Sequence, residues 1–154
     1  MTMRTLEPAG PKTGVLLPDF TVETITGRTI YRRDFKGRKH LVICFATAEI
    51  GIVGQRLVTA VAANSLAWQA ERAETLVIVP GPVAVAVSPP ALSIVVDVDG
   101  QLRTRFGVGA EAAVFIADRY GEIAFYETGA TASHGLPLDE VLPLLELLEM
   151  RCSL

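Results

Sequence analysis

Cysteine is scarce in this chain: Cys44 and Cys152 are the only two in 154 residues, too few and too far apart for a disulfide framework or a metal-binding spacing. Histidine is equally scarce, with His40 and His134 alone, so no metal or cofactor is expected. Basic charge is in short supply as well. Lys and Arg number 14 against 17 Asp and Glu, a formal net charge of -3, and no broad cationic surface is available to neutralise a phosphate backbone. Nucleic acid is therefore not an expected partner. Long apolar runs are missing too, because the stretch from Leu76 to Val87 is broken by Pro80, Gly81 and Pro82. That excludes a helix of the roughly 20 apolar residues needed to span a bilayer. The first 14 residues carry charge, proline and glycine but no apolar run of signal-peptide length. They read as a flexible lead-in, residues 15–154 as a single domain, and the protein as cytoplasmic with no membrane partner.

What is present is a hydrophobic half, rich in Val, Ala and Leu, which is enough for a real core. Phe20 to Ile25 alternates apolar and polar residues, Thr26-Gly27 marks a turn, and Thr29-Ile30-Tyr31 follows, predicting an N-terminal β-hairpin. Leu41 to Phe45 is apolar without alternation, the pattern of a central strand buried on both faces. Beyond Gly54 a helical pattern places Leu57, Val61 and Trp68 on one face and runs to about Glu74; Thr75 to Val79 reads as a second buried strand. Residues 41–79 thus form a β-α-β unit.

Between residues 80 and 92 four prolines leave an extended piece and an irregular helical turn equally open. Ile94 to Val96 reads as a short strand, Leu102 to Phe106 as a brief helix closed by Gly107, and Ala113 to Ala117 with Ile123 to Tyr126 as an antiparallel pair. Leu138 to Met150 is an amphipathic final helix with Pro143 near its start, and its wide apolar stripe leaves an edge for a protein partner or a homodimer.

Cys44 sits inside the apolar run and reads as a buried small hydrophobe, where desolvation raises a thiol pKa. Cys152, near the chain end, has no evident partner to activate it. His40 and His134 read as ordinary surface histidines, Asp97, Asp99 and Asp118 as caps of local backbone amides at glycine turns, and Arg103, Arg105 and Arg119 as solvated.

The order of elements and several local phrases resemble the peroxiredoxin and redoxin branch of the thioredoxin-like proteins. Leu17-Pro18-Asp19-Phe20-Thr21, then Thr26-Gly27 and Asp34-Phe35-Lys36-Gly37-Arg38, is similar to that group's opening. Phe45-Ala46-Thr47 resembles the segment leaving its central strand, Val95 to Gly107 its Asp-Pro-Asp-Gly stretch, and Val114 to Gly121 its late hairpin. The resemblance implies an α/β thioredoxin-like sandwich, with a central mixed β-sheet flanked by helices and an N-terminal β-hairpin. It also implies redox cysteines where the long helix begins, and this chain has none there. In the reductase register Glu49 and Ile52 stand at the two cysteine positions; in the peroxiredoxin register Gly54 stands near the peroxidatic cysteine and Gly51 near the threonine that orients peroxide. Ala112 stands on the opposite wall, at the position of a cis-proline or a thiolate-stabilising arginine.

No catalytic residue is therefore assigned. Thr47, Glu49, Gly51, Ile52, Gly54 and Ala112 are expected to outline a pocket for a small polar ligand in place of a redox site, in a scaffold that acts by binding a ligand or a protein. One alternative is a thiol-dependent peroxidase or oxidoreductase using Cys44 or Cys152. Another is an enzyme of different chemistry in which Glu49 meets a histidine.

Overall fold

A computed structural model describes residues 13–48, 52–83, 92–129 and 137–152. Two short strands, β1 (Thr21–Glu23) and β2 (Thr29–Tyr31), pair antiparallel as the expected hairpin. A 3-10 turn over Arg32–Asp34 leads to β3 (His40–Phe45). Then come α1 (Ile52–Ala70), β4 (Ala73–Val79), β5 (Leu92–Val96), α2 (Gln101–Arg105), β6 (Ala112–Ala117), β7 (Ile123–Gly129), a 3-10 turn over Leu138–Glu140 and α3 (Val141–Cys152).

The main sheet has the order β5-β4-β3-β6-β7, with β3 at its centre. β3 runs parallel to β4 and antiparallel to β6, and β4 runs parallel to β5, so the sheet is mixed. All six residues of β3 are buried, as an unalternated apolar run requires. Its side chains feed two separate cores in turn. Leu41, Ile43 and Phe45 join Leu76, Ile78 and Phe115 on one face, where Phe20, Ile30 and Phe35 of the hairpin region and Phe106 after α2 close the layer. Val42 and Cys44 join Val77, Val114 and Ile116 on the other, beneath Leu57, Val61 and Trp68 of α1 and Leu145 and Leu148 of α3. This is the α/β thioredoxin-like sandwich.

Phe106 ties the first core together, with its ring centroid 5.4 Å from that of Phe45, 5.3 Å from that of Phe115 and 6.0 Å from that of Phe20. In α1 the buried stripe passes through Ser65, whose hydroxyl donates to the Ala62 carbonyl at 3.1 Å. A small side chain that satisfies itself on the helix lets α1 lie close to the sheet.

Three boundaries differ from the sequence reading. α1 begins at Ile52 and so includes Gly54, which the apolar periodicity alone had placed before the helix. It ends at Ala70 rather than Glu74, because Arg72 takes the left-handed conformation at φ 63° and turns the chain so that Ala73 pairs with His40 in the sheet. A non-glycine residue in that conformation leaves no mark in the sequence. The final helix opens as a 3-10 turn before α3, and Pro143 falls in the first turn of α3, where its missing amide is least costly. Residues 84–91, which hold most of the undecided crossover, lie outside the described residues.

Among the described residues no helix is long and apolar enough to cross a membrane. At the far edge of the sheet the chain before β1 reinforces β7. Gly14 donates its amide to the Ile123 carbonyl at 2.8 Å, and Ile123 donates back to Val15 at 2.8 Å.

Candidate functional site

β3 and β4 point their carboxyl ends the same way, and in open α/β sheets ligands collect in the crevice at that end. Here the chain leaves β3 through Ala46, Thr47 and Ala48. The Ala46 amide donates to the Ile78 carbonyl at 2.9 Å and the Ala48 amide to the Ala110 carbonyl at 2.9 Å. Thr47 is thereby stretched between β4 and the segment that enters β6. It is 9% exposed, and its Oγ1 is buried with no hydrogen-bond partner among the described residues. A buried hydroxyl without a partner costs about 1–3 kcal/mol of desolvation and invites a group to complete it.

Ala112, the expected opposite wall, is fully buried in β6 and paired with Gly129, so it adds a methyl group and main chain but no polar function. The peptide bonds of the described residues are trans. Ile52 and Gly54 lie in the first turn of α1, and Glu49 and Gly51 lie outside the described residues. The structure thus brings Thr47 and Ala112 to one end of adjacent strands, with α1 opening five residues after Thr47.

One residue at this end was misread. Arg103 is half-buried rather than free in solvent; it leans from α2 across the site and donates to three main-chain carbonyls, those of Ala46, Gly109 and Glu111. Its guanidinium carbon also lies 5.6 Å from the centroid of the Phe45 ring. Burial lowers its pKa from the usual arginine value, while Asp97 and Glu111 pull it back up. Arg103 therefore clamps the exit of β3 to the entry of β6. Asp97 holds the clamp in place by capping α2, its two carboxylate oxygens accepting the Leu102 and Arg103 amides at 3.1 Å each. That cap was expected, and so was the one at Asp118, whose Oδ1 accepts the amides of Tyr120 at 2.9 Å and Glu122 at 3.1 Å. A cavity of about 170 Å³ opens beside the clamp, lined by Ala48, Pro80, Asp97, Gly100 and Arg103 among others.

Cys44 is fully buried on the face covered by α1 and α3, and desolvation pushes its thiol up to about 12. That is the opposite of what an attacking thiolate needs. The side chain of Cys152 lies outside the described residues.

His40 corrects another reading. It is not a surface histidine but is fully buried at the start of β3, with Nε2 2.8 Å from Oε1 of Glu149 in α3. The other oxygen of Glu149 lies 3.6 Å from Nε of Arg72. One carboxylate thus joins the start of β3, the end of α1 and α3. The pair spans 109 positions, and no local pattern links them. His134 lies outside the described residues.

Comparison with protein-family models gives no match, and comparison with curated protein sequences gives none either. Solved structures do match. Yeast mitochondrial 1-Cys peroxiredoxin superposes with a TM-score of 0.75 at 16% identity, covering 93% of this chain and 78% of that one. Peroxiredoxin Q from Xanthomonas campestris gives 0.71 at 19% identity, covering 90% and 99%. Peroxidoxin BcpB from Mycobacterium tuberculosis gives 0.69 at 16%, covering 88% and 97%. At such identities the likeness establishes the fold, and chemistry has to be argued from the site.

The Cys44 environment has a consequence for pH dependence. The folded thiol stays protonated to about pH 12 while an exposed thiol ionises near 9.0, so above that value the unfolded state releases a proton the native state keeps. Stability falls as pH rises from 9.0 towards 12, and Cys44 accounts for up to about 1.4 kcal/mol of that fall per pH unit. Urea unfolding at stepped alkaline pH should show a steeper decline in the wild type than in Cys44→Ala. Parallel declines would mean that the thiol is not desolvated.

Proposed function

We propose that this protein is a peroxiredoxin-fold scaffold without thiol redox chemistry, acting in the cytoplasm by binding a small polar ligand at the carboxyl end of β3. The observation that carries the reading is the state of the chain's sulfur. No cysteine occurs between Ala46 and Arg151, a span that includes the start of α1. The thiol of Cys44 is sealed under α1 and α3 with its pKa raised to about 12. A helix N-terminus can stabilise only a thiolate placed beside it.

The buried Thr47 hydroxyl, without a partner among the described residues and one residue before the Ala48 that lines the cavity beside Arg103, supports the binding half of the reading. The proposed pocket takes in Ile52, Gly54 and Ala112 as further members, while Glu49 and Gly51, the other two expected there, lie outside the described residues. A protein partner or a second copy of the chain is favoured by a separate feature, the outer stripe of α3, where Leu147 is 50% and Met150 66% exposed.

Thiol-dependent peroxide turnover in the wild type should equal that of a doubly substituted Cys44→Ala, Cys152→Ala protein. Turnover that disappears on either substitution in a folded protein would establish the thiol-peroxidase alternative instead. For the pocket, Thr47→Val keeps the branched shape and removes the orphaned hydroxyl, and should raise the stability of the ligand-free protein by about 1 kcal/mol. A loss of similar size would show that the hydroxyl is already satisfied within the protein and is not open to a ligand.

A further inference from the structure

Although the chain is acidic overall, six of its 14 Lys and Arg fall between residues 28 and 39, where Asp34 is the only acid. The fold carries this segment to the amino end of β3, the end of the sheet opposite Thr47. A cavity of about 160 Å³ lies there. Its floor is apolar and buried, made of Leu17, Phe35, Leu41 and Ala117, with Leu41 and Ala117 paired across β3 and β6. Its rim carries Arg32, Arg33, Lys36 and Arg119 against one acid, Asp118.

The nearby carboxylates are largely occupied. Asp118 accepts two amides of its own turn. Asp34 accepts the Tyr31 amide at 2.9 Å. Arg32 donates to the Leu17 carbonyl at 2.6 Å and lies 3.8 Å from Asp19. Arg33 and Lys36 are exposed, and among the described residues neither has a carboxylate within 4.0 Å. Arg33 is held in place by its guanidinium carbon lying 4.2 Å from the Tyr31 ring centroid.

We propose that this cavity is a second binding site, independent of the one at Thr47, for a small carboxylate with an apolar body about the size of one aromatic ring. Size sets the body, since an apolar cavity of about 150 Å³ accommodates benzene. Charge sets the head: Arg33 and Lys36, two cations without carboxylate partners among the described residues, stand at the mouth of an apolar floor and complement one anionic group, and a guanidinium matches a carboxylate in two parallel hydrogen bonds. A larger polyanion would leave the floor unfilled. A neutral ring would leave the rim unused.

The test is an amide-resolved NMR titration of the full chain with sodium benzoate at low ionic strength. Shifts are expected to concentrate at Phe35 to Gly37 and Ala117 to Gly121, with a dissociation constant of about 1 mM, ordinary for so small a ligand. Raising the salt should weaken binding. Benzyl alcohol, which keeps the ring without the charge, and inorganic phosphate, which keeps charge without the ring, should each bind at least about tenfold more weakly. Arg33→Glu and Lys36→Glu change exposed side chains and should keep the native spectrum while lowering benzoate affinity by about tenfold or more. The proposal is overturned by an unchanged spectrum in excess benzoate, by benzyl alcohol or phosphate binding as well as benzoate, or by variants that bind like the wild type.

Discussion

The complete burial of β3 is the constraint on which the rest of the structure depends. A strand with both faces covered must be apolar at every position, and its alternate residues supply two cores at once. Phe45 and Ile43 hold the aromatic layer beneath the hairpin region, while Val42 and Cys44 hold α1 and α3. No side chain along the strand is available to solvent, so chemistry is confined to its two ends. A thiol in its middle becomes packing material. The ends are the points at which buried polar groups occur, His40 at one and Thr47 just beyond the other.

The two ends are secured in different ways. At the amino end Glu149 reaches from α3 to meet both His40 and Arg72, fixing the strand to the helices by a shared carboxylate. At the carboxyl end Arg103 spends its donors on main-chain carbonyls from both sides of the site, itself placed by the Asp97 cap. A cation thus comes to the site from α2, and not from the position of Ala112. Because its hydrogen bonds are directed at the backbone, Arg103 gives the site its shape while the buried Thr47 hydroxyl keeps no partner among the described residues.

The features legible in the sequence were those written in local pattern. The unbroken run from Leu41 to Phe45, the alternation at Phe20 to Ile25, and the Asp-led turns ending at Gly100 and Gly121 each state their structure within a few residues, and the mixed sheet was implied by the resemblance that the succession of elements carries. The buried fate of Cys44 was legible for the same reason. What sequence could not convey was convergence. Arg103 looks like any surface arginine on a short helix until β3 and β6 are laid beside it, and His40 looks solvated beside Arg38 and Lys39 until α3 closes over it. Of the candidate site, Thr47 and Ala112 lie at one end of adjacent strands, but nothing local showed that the Thr47 hydroxyl has no partner among the described residues.

The absence of thiol chemistry in an intact fold is the part of the proposed function that experiment reaches most readily. The most direct measurement is the mass of the Cys44-containing peptide after the native protein is exposed to excess hydrogen peroxide and then trapped with a sulfenic-acid reagent. An unmodified peptide from the native protein, with oxidation appearing only once the protein is unfolded beforehand, is the predicted result. Rapid sulfenic acid formation at Cys44 in the folded protein would contradict it.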